Sequence, residues 1–139
     1  MLTKLAIVYI VLELSGVDQM TKGQAEASIS EAVSAFEMNY MGRGPKQIKT
    51  TICQDLIIIR LKGFLSQVEK KLAESSQGVE LLKRLRTNLF ETACEYFEKQ
   101  IKDVVDVTIV SLHSDVSTRT GEKIIVVTLA ENLENTFSK

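Results

Sequence analysis

Two short aliphatic runs, Ile48-Lys49-Thr50-Thr51-Ile52 and Leu56-Ile57-Ile58-Ile59-Arg60-Leu61, are separated by little more than Gln54-Asp55. Strand-forming runs broken by two polar residues predict a β-hairpin over Gln47 to Lys62. With Gln54-Asp55 as the turn, Ile52 opposes Ile57, Thr50 opposes Ile59 and Ile48 opposes Leu61. That face is apolar and is expected to line the core. The other face sets Lys49 opposite Arg60 and Thr51 opposite Ile58, a pattern suited to solvent or to an anionic partner.

The flanking segments supply the cover. Ala25, Ile29, Val33, Phe36 and Tyr40 recur every three or four positions and predict a helix from about Lys22 to Met41. Gly42-Arg43-Gly44-Pro45 ends it, because proline lacks a donor and biases the residue before it away from helix. Ser66 and Glu69 form a capping box ahead of a short helix ending near Ser75. Gly78 reads as a break or kink. From Val79 onward Leu82, Leu85, Leu89, Ala93, Tyr96 and Ile101 make the longest apolar stripe, with Leu81, Phe90 and Cys94 as a second edge. Such a helix is expected to pack on a sheet with one side and on another helix or subunit with the other. Val107 to Leu112 and Lys123 to Leu129 read as two further strands, joined by a polar loop over 111–122.

The order α-β-β-α-α-β-β predicts an α+β two-layer sandwich, an antiparallel four-stranded sheet with helices on one face. Its 139 residues suit one domain over 20–135, with an apolar extension at 1–19 and a fraying tail at 136–139. The extension, Leu5 to Leu14 above all, superficially resembles a signal peptide. It lacks a convincing cleavage site and spans only about 15 Å as a helix, too little for a hydrocarbon core of about 30 Å. It suits an extra strand or a partner-binding segment, and Met20 is an alternative start. A net charge of -1 is a poor electrostatic basis for a protein that lives on nucleic acid or anionic membrane, though neither partner is excluded locally. Cys53 and Cys94 have no metal-ligand spacing and read as buried thiols in a reducing cytoplasm.

Two segments concentrate polar chemistry. Ser111 to Glu122 holds the chain's single histidine. His113 with Asp115 has the makings of an orienting pair for general-base work, and Ser117, Thr118 and Arg119 of an anion cradle. The same residues also simply satisfy a loop's backbone, with Gly121 free to take positive φ. Arg43, Lys49 and Arg60 mark a second, locally basic region that suits phosphate, carboxylate or lipid headgroups, or is a plain helix-to-strand turn. No nucleophile elbow, glycine fingerprint or metal-ligand cluster accompanies them, so neither an enzyme nor a cofactor or metal is expected.

Four strings, KGQAEASISEAVSAFEMNYMGRGPK, LIIIRLKGFLSQVEKKLA, GVELLKRLR and VSLHSDVSTRTGEKIIVVTLAENLE, together resemble the small bacterial MpsC family over about residues 20–135. The most specific pieces are Tyr40 to Lys46, with its GRGP turn, and Ser111 to Gly121, with its S-x-H-x-D-x-S-x-x-T-G pattern. Met41 stands where many members have leucine, and residues 1–19 have no counterpart. The resemblance implies association with a sodium-translocating, membrane-potential-generating system linked to inorganic-carbon supply, whose membrane partner looks like a proton-pumping dehydrogenase subunit. A chain without a spanning helix cannot form the ion path itself. The implied role is a soluble accessory or regulator, cytoplasmic or peripheral to the inner face of the membrane, with membrane subunits as partners. A homodimer, with part of the long helix in its seam, is a further expectation. The alternative is a small-molecule or anion-binding module using loop 111–122.

Overall fold

The computed structural model describes residues 20–137. Helix α1 (Lys22–Tyr40) is followed by β1 (Gln47–Cys53), β2 (Leu56–Lys62), α2 (Gln67–Leu72), α3 (Ser76–Val104), β3 (Ile109–Ser117) and β4 (Glu122–Leu129). A 3-10 turn at Glu134–Thr136 closes the described chain. The sheet order is β1-β2-β4-β3, with every neighbouring pair antiparallel. This is the α+β sandwich read from the sequence, and the hairpin register is the one that Gln54-Asp55 imposes. Gln54 takes φ 57°, the left-handed conformation that lets so short a connection reverse the chain.

One face of the sheet carries Ile57, Ile59, Leu61, Ile125 and Val127, all fully buried. They pack against Ile29, Val33 and Phe36 of α1 and Phe97 and Ile101 of α3 in a single core. Helix α1 starts with a Thr21–Gln24 capping box and ends where Gly42 takes φ 87°. It also protects the β1 edge. The Glu26 carboxylate accepts the amide of Ile52 at 2.8 Å, and Ser30 and Thr50 share a hydroxyl hydrogen bond of 2.7 Å.

Three expectations need correction. Gly78 breaks nothing: α3 begins at Ser76, capped by Ser75, and Gly78 lies in its first turn. A Cβ there would run into the carbonyl of Leu72, so the glycine is a close-approach device between α2 and α3. The buried line of α3 is Leu82, Arg86, Phe90, Ala93, Phe97 and Ile101, whereas Leu85 and Leu89 stand exposed with Leu81. Neither cysteine is a buried thiol, since Cys53 is exposed on a strand face and Cys94 is half-buried. After β4, Leu133 packs into the core and Glu134 ties back to α1 through Lys22 at 2.6 Å. The proposed strand within residues 1–19 lies outside the described residues.

Candidate functional site

The polar segment 111–122 is mostly strand, not loop. β3 runs through Ser117, leaving only Thr118 to Gly121 as the turn, with Gly121 at φ 72° as expected. Polar alternation hid the strand from sequence reading, because among the described residues β3 is paired to β4 alone.

The register then joins what the sequence left as two regions. Directly opposed residues share a sheet face, so the face away from the helices is a grid of four rows. These are Cys53-Leu56-Thr128-Ser111, Thr51-Ile58-Val126-His113, Lys49-Arg60-Ile124-Asp115 and Gln47-Lys62-Glu122-Ser117. Lys49, Arg60, His113, Asp115 and Ser117 therefore lie on one surface. Its middle is aliphatic (Leu56, Ile58, Ile124 and Val126, all half-buried), its β1–β2 side is basic, and its β3 side carries His113 and Asp115. Arg60 leans across to Glu122 at 2.6 Å. Lys49 has no ion pair among the described residues. Arg43, Thr118 and Arg119 sit in turns at the Gln47–Ser117 end of the sheet.

His113 and Asp115 do not form an orienting pair. They are two apart on one strand, roughly 6.7 Å by strand rise, and Asp115 instead accepts the Val116 amide at 2.9 Å and faces Lys83 at 3.7 Å. Lys83 comes from α3 and reaches the sheet edge. With Val79, Asp115, Ser117, Thr118, Arg119 and Glu122 it lines a cleft of about 390 Å³. The cleft gathers most of the anion cradle suggested by the sequence and adds a lysine that the sequence did not single out.

Beneath this surface runs a buried ionic network that sequence reading missed altogether. The Lys123 ammonium lies 2.7 Å from Glu37, with side chains 1% and 0% exposed. Arg86 donates from Nε and Nη2 to Glu69 at 2.8 and 2.5 Å. Each cation also lies over a ring, Lys123 over Phe90 at 5.1 Å and Arg86 over Phe64 at 5.0 Å. Burial pulls the Lys123 ammonium below the usual lysine range, the Glu37 carboxylate opposes that fall, and Arg86 adds to it. For Glu69 burial pushes upward, but hydrogen bonds from the Ser66 backbone and from Arg86 outweigh it and hold the carboxyl below its usual value. Glu37 Oε2 and Arg86 Nη1 find no protein partner among the described residues. Lys83, Arg86, Thr87, Ser114 and Lys123 line a hollow of about 10 Å³, room for a single water-sized group. A signal did exist: Arg86 falls four residues after Leu82 and four before Phe90, on the very line that α3 buries.

Comparison with known proteins now decides the family. The family model described as "Na+-translocating membrane potential-generating system (MpsC)" matches residues 21–131. The chain belongs to the MpsC family. A curated relative, the uncharacterized protein YbcI of Bacillus subtilis (strain 168), is 35% identical over 119 residues, covering 86% of this chain and 96% of the relative. No solved structure matches the chain significantly. The match takes in both α1 and the whole sheet, so the open face and the α3–β3 cleft are parts of the family domain and not additions to it.

Proposed function

We propose that this MpsC-family chain is an accessory protein of a sodium-translocating, membrane-potential-generating system linked to inorganic-carbon supply, and that it docks on the system's membrane subunits from the inner side. Family membership supports the system. No helix among the described residues is long and apolar enough to cross a membrane, which supports an accessory role over an ion path.

The observation that carries docking is the bare flank of α3. Tyr96 of α3 packs on Tyr40 of α1 at 4.4 Å between ring centroids, so this flank faces α1. Leu89, seven residues earlier, lies on the same flank, preceded by Leu85 and Leu81 at intervals of four. Helix α1 ends at Tyr40, and α3, with 29 residues to its 19, extends about 15 Å farther. Leu81, Leu85 and Leu89 are left 54%, 51% and 37% exposed. A partner helix with an apolar face fits where α1 stops. Affinity purification of the tagged full chain from gently solubilised membranes tests this. Wild type is expected to bring down ion-transport subunits and Leu85→Asp to lose them at unchanged thermal stability. Recovery of the chain alone contradicts the reading.

The cleft beside Asp115 favours a second reading, an anion-binding module. Lys83, Arg119 and two hydroxyls meet there, next to the buried guanidinium of Arg86. Thermal stabilisation by inorganic phosphate or bicarbonate, lost in Arg119→Ala, is its expected mark. No shift with either anion removes it.

A further inference from the structure

We propose that the open face of the sheet binds the same face of a second copy, about a two-fold axis that runs parallel to the strands between β2 and β4. The inference uses a different surface from the docking flank of α3 and stands independently of it.

The monomer leaves charges on this face poorly matched. Lys49 stands directly opposite Arg60, a like-charge pair that costs stability on an isolated sheet. Arg60 escapes to Glu122, but Lys49 does not. Across the same row Asp115, its side chain 82% exposed, has among the described residues a single ion-pair partner, Lys83 at 3.7 Å. The row is thus cationic at its β1 end and anionic at its β3 end. In the next row Lys62 stands beside Glu122.

Symmetry converts this gradient into complementarity. An axis along the strands swaps left and right and leaves the rows in place, so β1 faces the partner's β3 and β2 the partner's β4. Lys49 then meets the partner's Asp115, and Lys62 the partner's Glu122, each twice over. Glu122 already lies beside Lys62 in its own sheet, so the second contact completes an alternating square of four charges. Ile58 meets the partner's Val126 in the middle. Stacked sheets sit about 10 Å apart, a gap that an extended lysine and an aspartate span together. The other in-plane axis reverses the rows and lays Lys62 on the partner's Leu56 and Lys49 on the partner's Thr51, so neither lysine meets a carboxylate, whereas Arg60 lies on an aliphatic residue in both arrangements and keeps Glu122 of its own chain. Charge therefore selects one of the two face-to-face arrangements.

The footprint bounds the affinity. Strands about 4.8 Å apart, with seven residues each rising about 3.3 Å, give roughly 19 by 23 Å, or about 900 Å² of face for the pair. That is below the roughly 1,200 Å² of standard specific interfaces and in the range of weak, transient ones, so the dimer is expected to dissociate in the micromolar range and to weaken with salt.

Sedimentation velocity of the full chain from about 5 to about 500 μM, the range an interface of this size calls for, tests the proposal. Wild type is expected to dimerise reversibly. Lys49→Glu and Asp115→Lys should each weaken the dimer by about tenfold or more, because like charges then face each other twice. The double variant Lys49→Glu/Asp115→Lys restores the opposition with signs exchanged and should recover the dimer. A wild type that stays monomeric overturns the proposal. So does a dimer that either single substitution leaves unchanged, which would place the seam on the α3 leucines, and so does a double variant no better than the singles.

Discussion

Lys123 of β4 and Glu37 of α1, separated by 86 positions in the chain, meet at 2.7 Å with both side chains out of contact with solvent. The pair joins the first helix to the last strand through the middle of the core. It also lies within the field of the second ionic pair: Arg86 lines the same small hollow as Lys123 and disfavours the protonated lysine.

Removing one partner leaves a buried charge without its counter-ion. Glu37→Gln and Lys123→Met are each expected to lose about 3–5 kcal/mol of unfolding free energy. The double variant Glu37→Leu/Lys123→Met should lie much closer to wild type, because no charge remains buried. Urea midpoints of the three variants check this. A double variant as unstable as the singles would show that the pair is not what the core requires.

Acid should weaken the Arg86–Glu69 contact in a defined direction. The folded pKa of Glu69 lies below the ordinary 4.5, so the unfolded chain binds more protons in that range and stability is lost as the pH falls. The stability gap between wild type and Glu69→Gln should be fully present above about pH 4.5, the ordinary carboxyl value, and close as the pH drops through the depressed folded value. Glutamine keeps an acceptor for the Ser66 amide, so the difference reports on the charge. Denaturation curves between neutral and acid pH measure it.

Gly78 gives a test of the α2–α3 junction. Alanine in an open helix interior stabilises by about 0.5–1 kcal/mol relative to glycine. Here the Leu72 carbonyl occupies the space a Cβ needs, so Gly78→Ala should instead destabilise by about 1–3 kcal/mol. Gly23→Ala, whose added Cβ meets nothing within 4 Å, is the matched control and should not destabilise.

Local pattern made the hairpin legible down to its register, because the turn and the alternation of Ile52, Ile57 and Ile59 agree. The same logic failed at His113 and Asp115. Their strand is polar on its exposed face and exists by pairing with β4, a tertiary fact that no local propensity carries. The burial of Arg86 escapes sequence reading for a related reason. Charge normally marks the outer side of a helix, and only Glu69, brought near by α2, makes its burial tolerable. The surface on which Lys49, Arg60, His113 and Asp115 meet follows from strand order, which the sequence does not spell out: with β4 between β2 and β3, the basic and acidic edges become opposite sides of one face.

The most direct test of the accessory role is sodium-dependent membrane potential, read with a potential-sensitive dye in cells that lack the chain and are complemented with wild type or Leu85→Asp. Without the chain a sodium pulse is expected to build no potential; wild type should restore it, and Leu85→Asp, folded and equally abundant, should not. A potential that builds equally well in cells lacking the chain would contradict the accessory role.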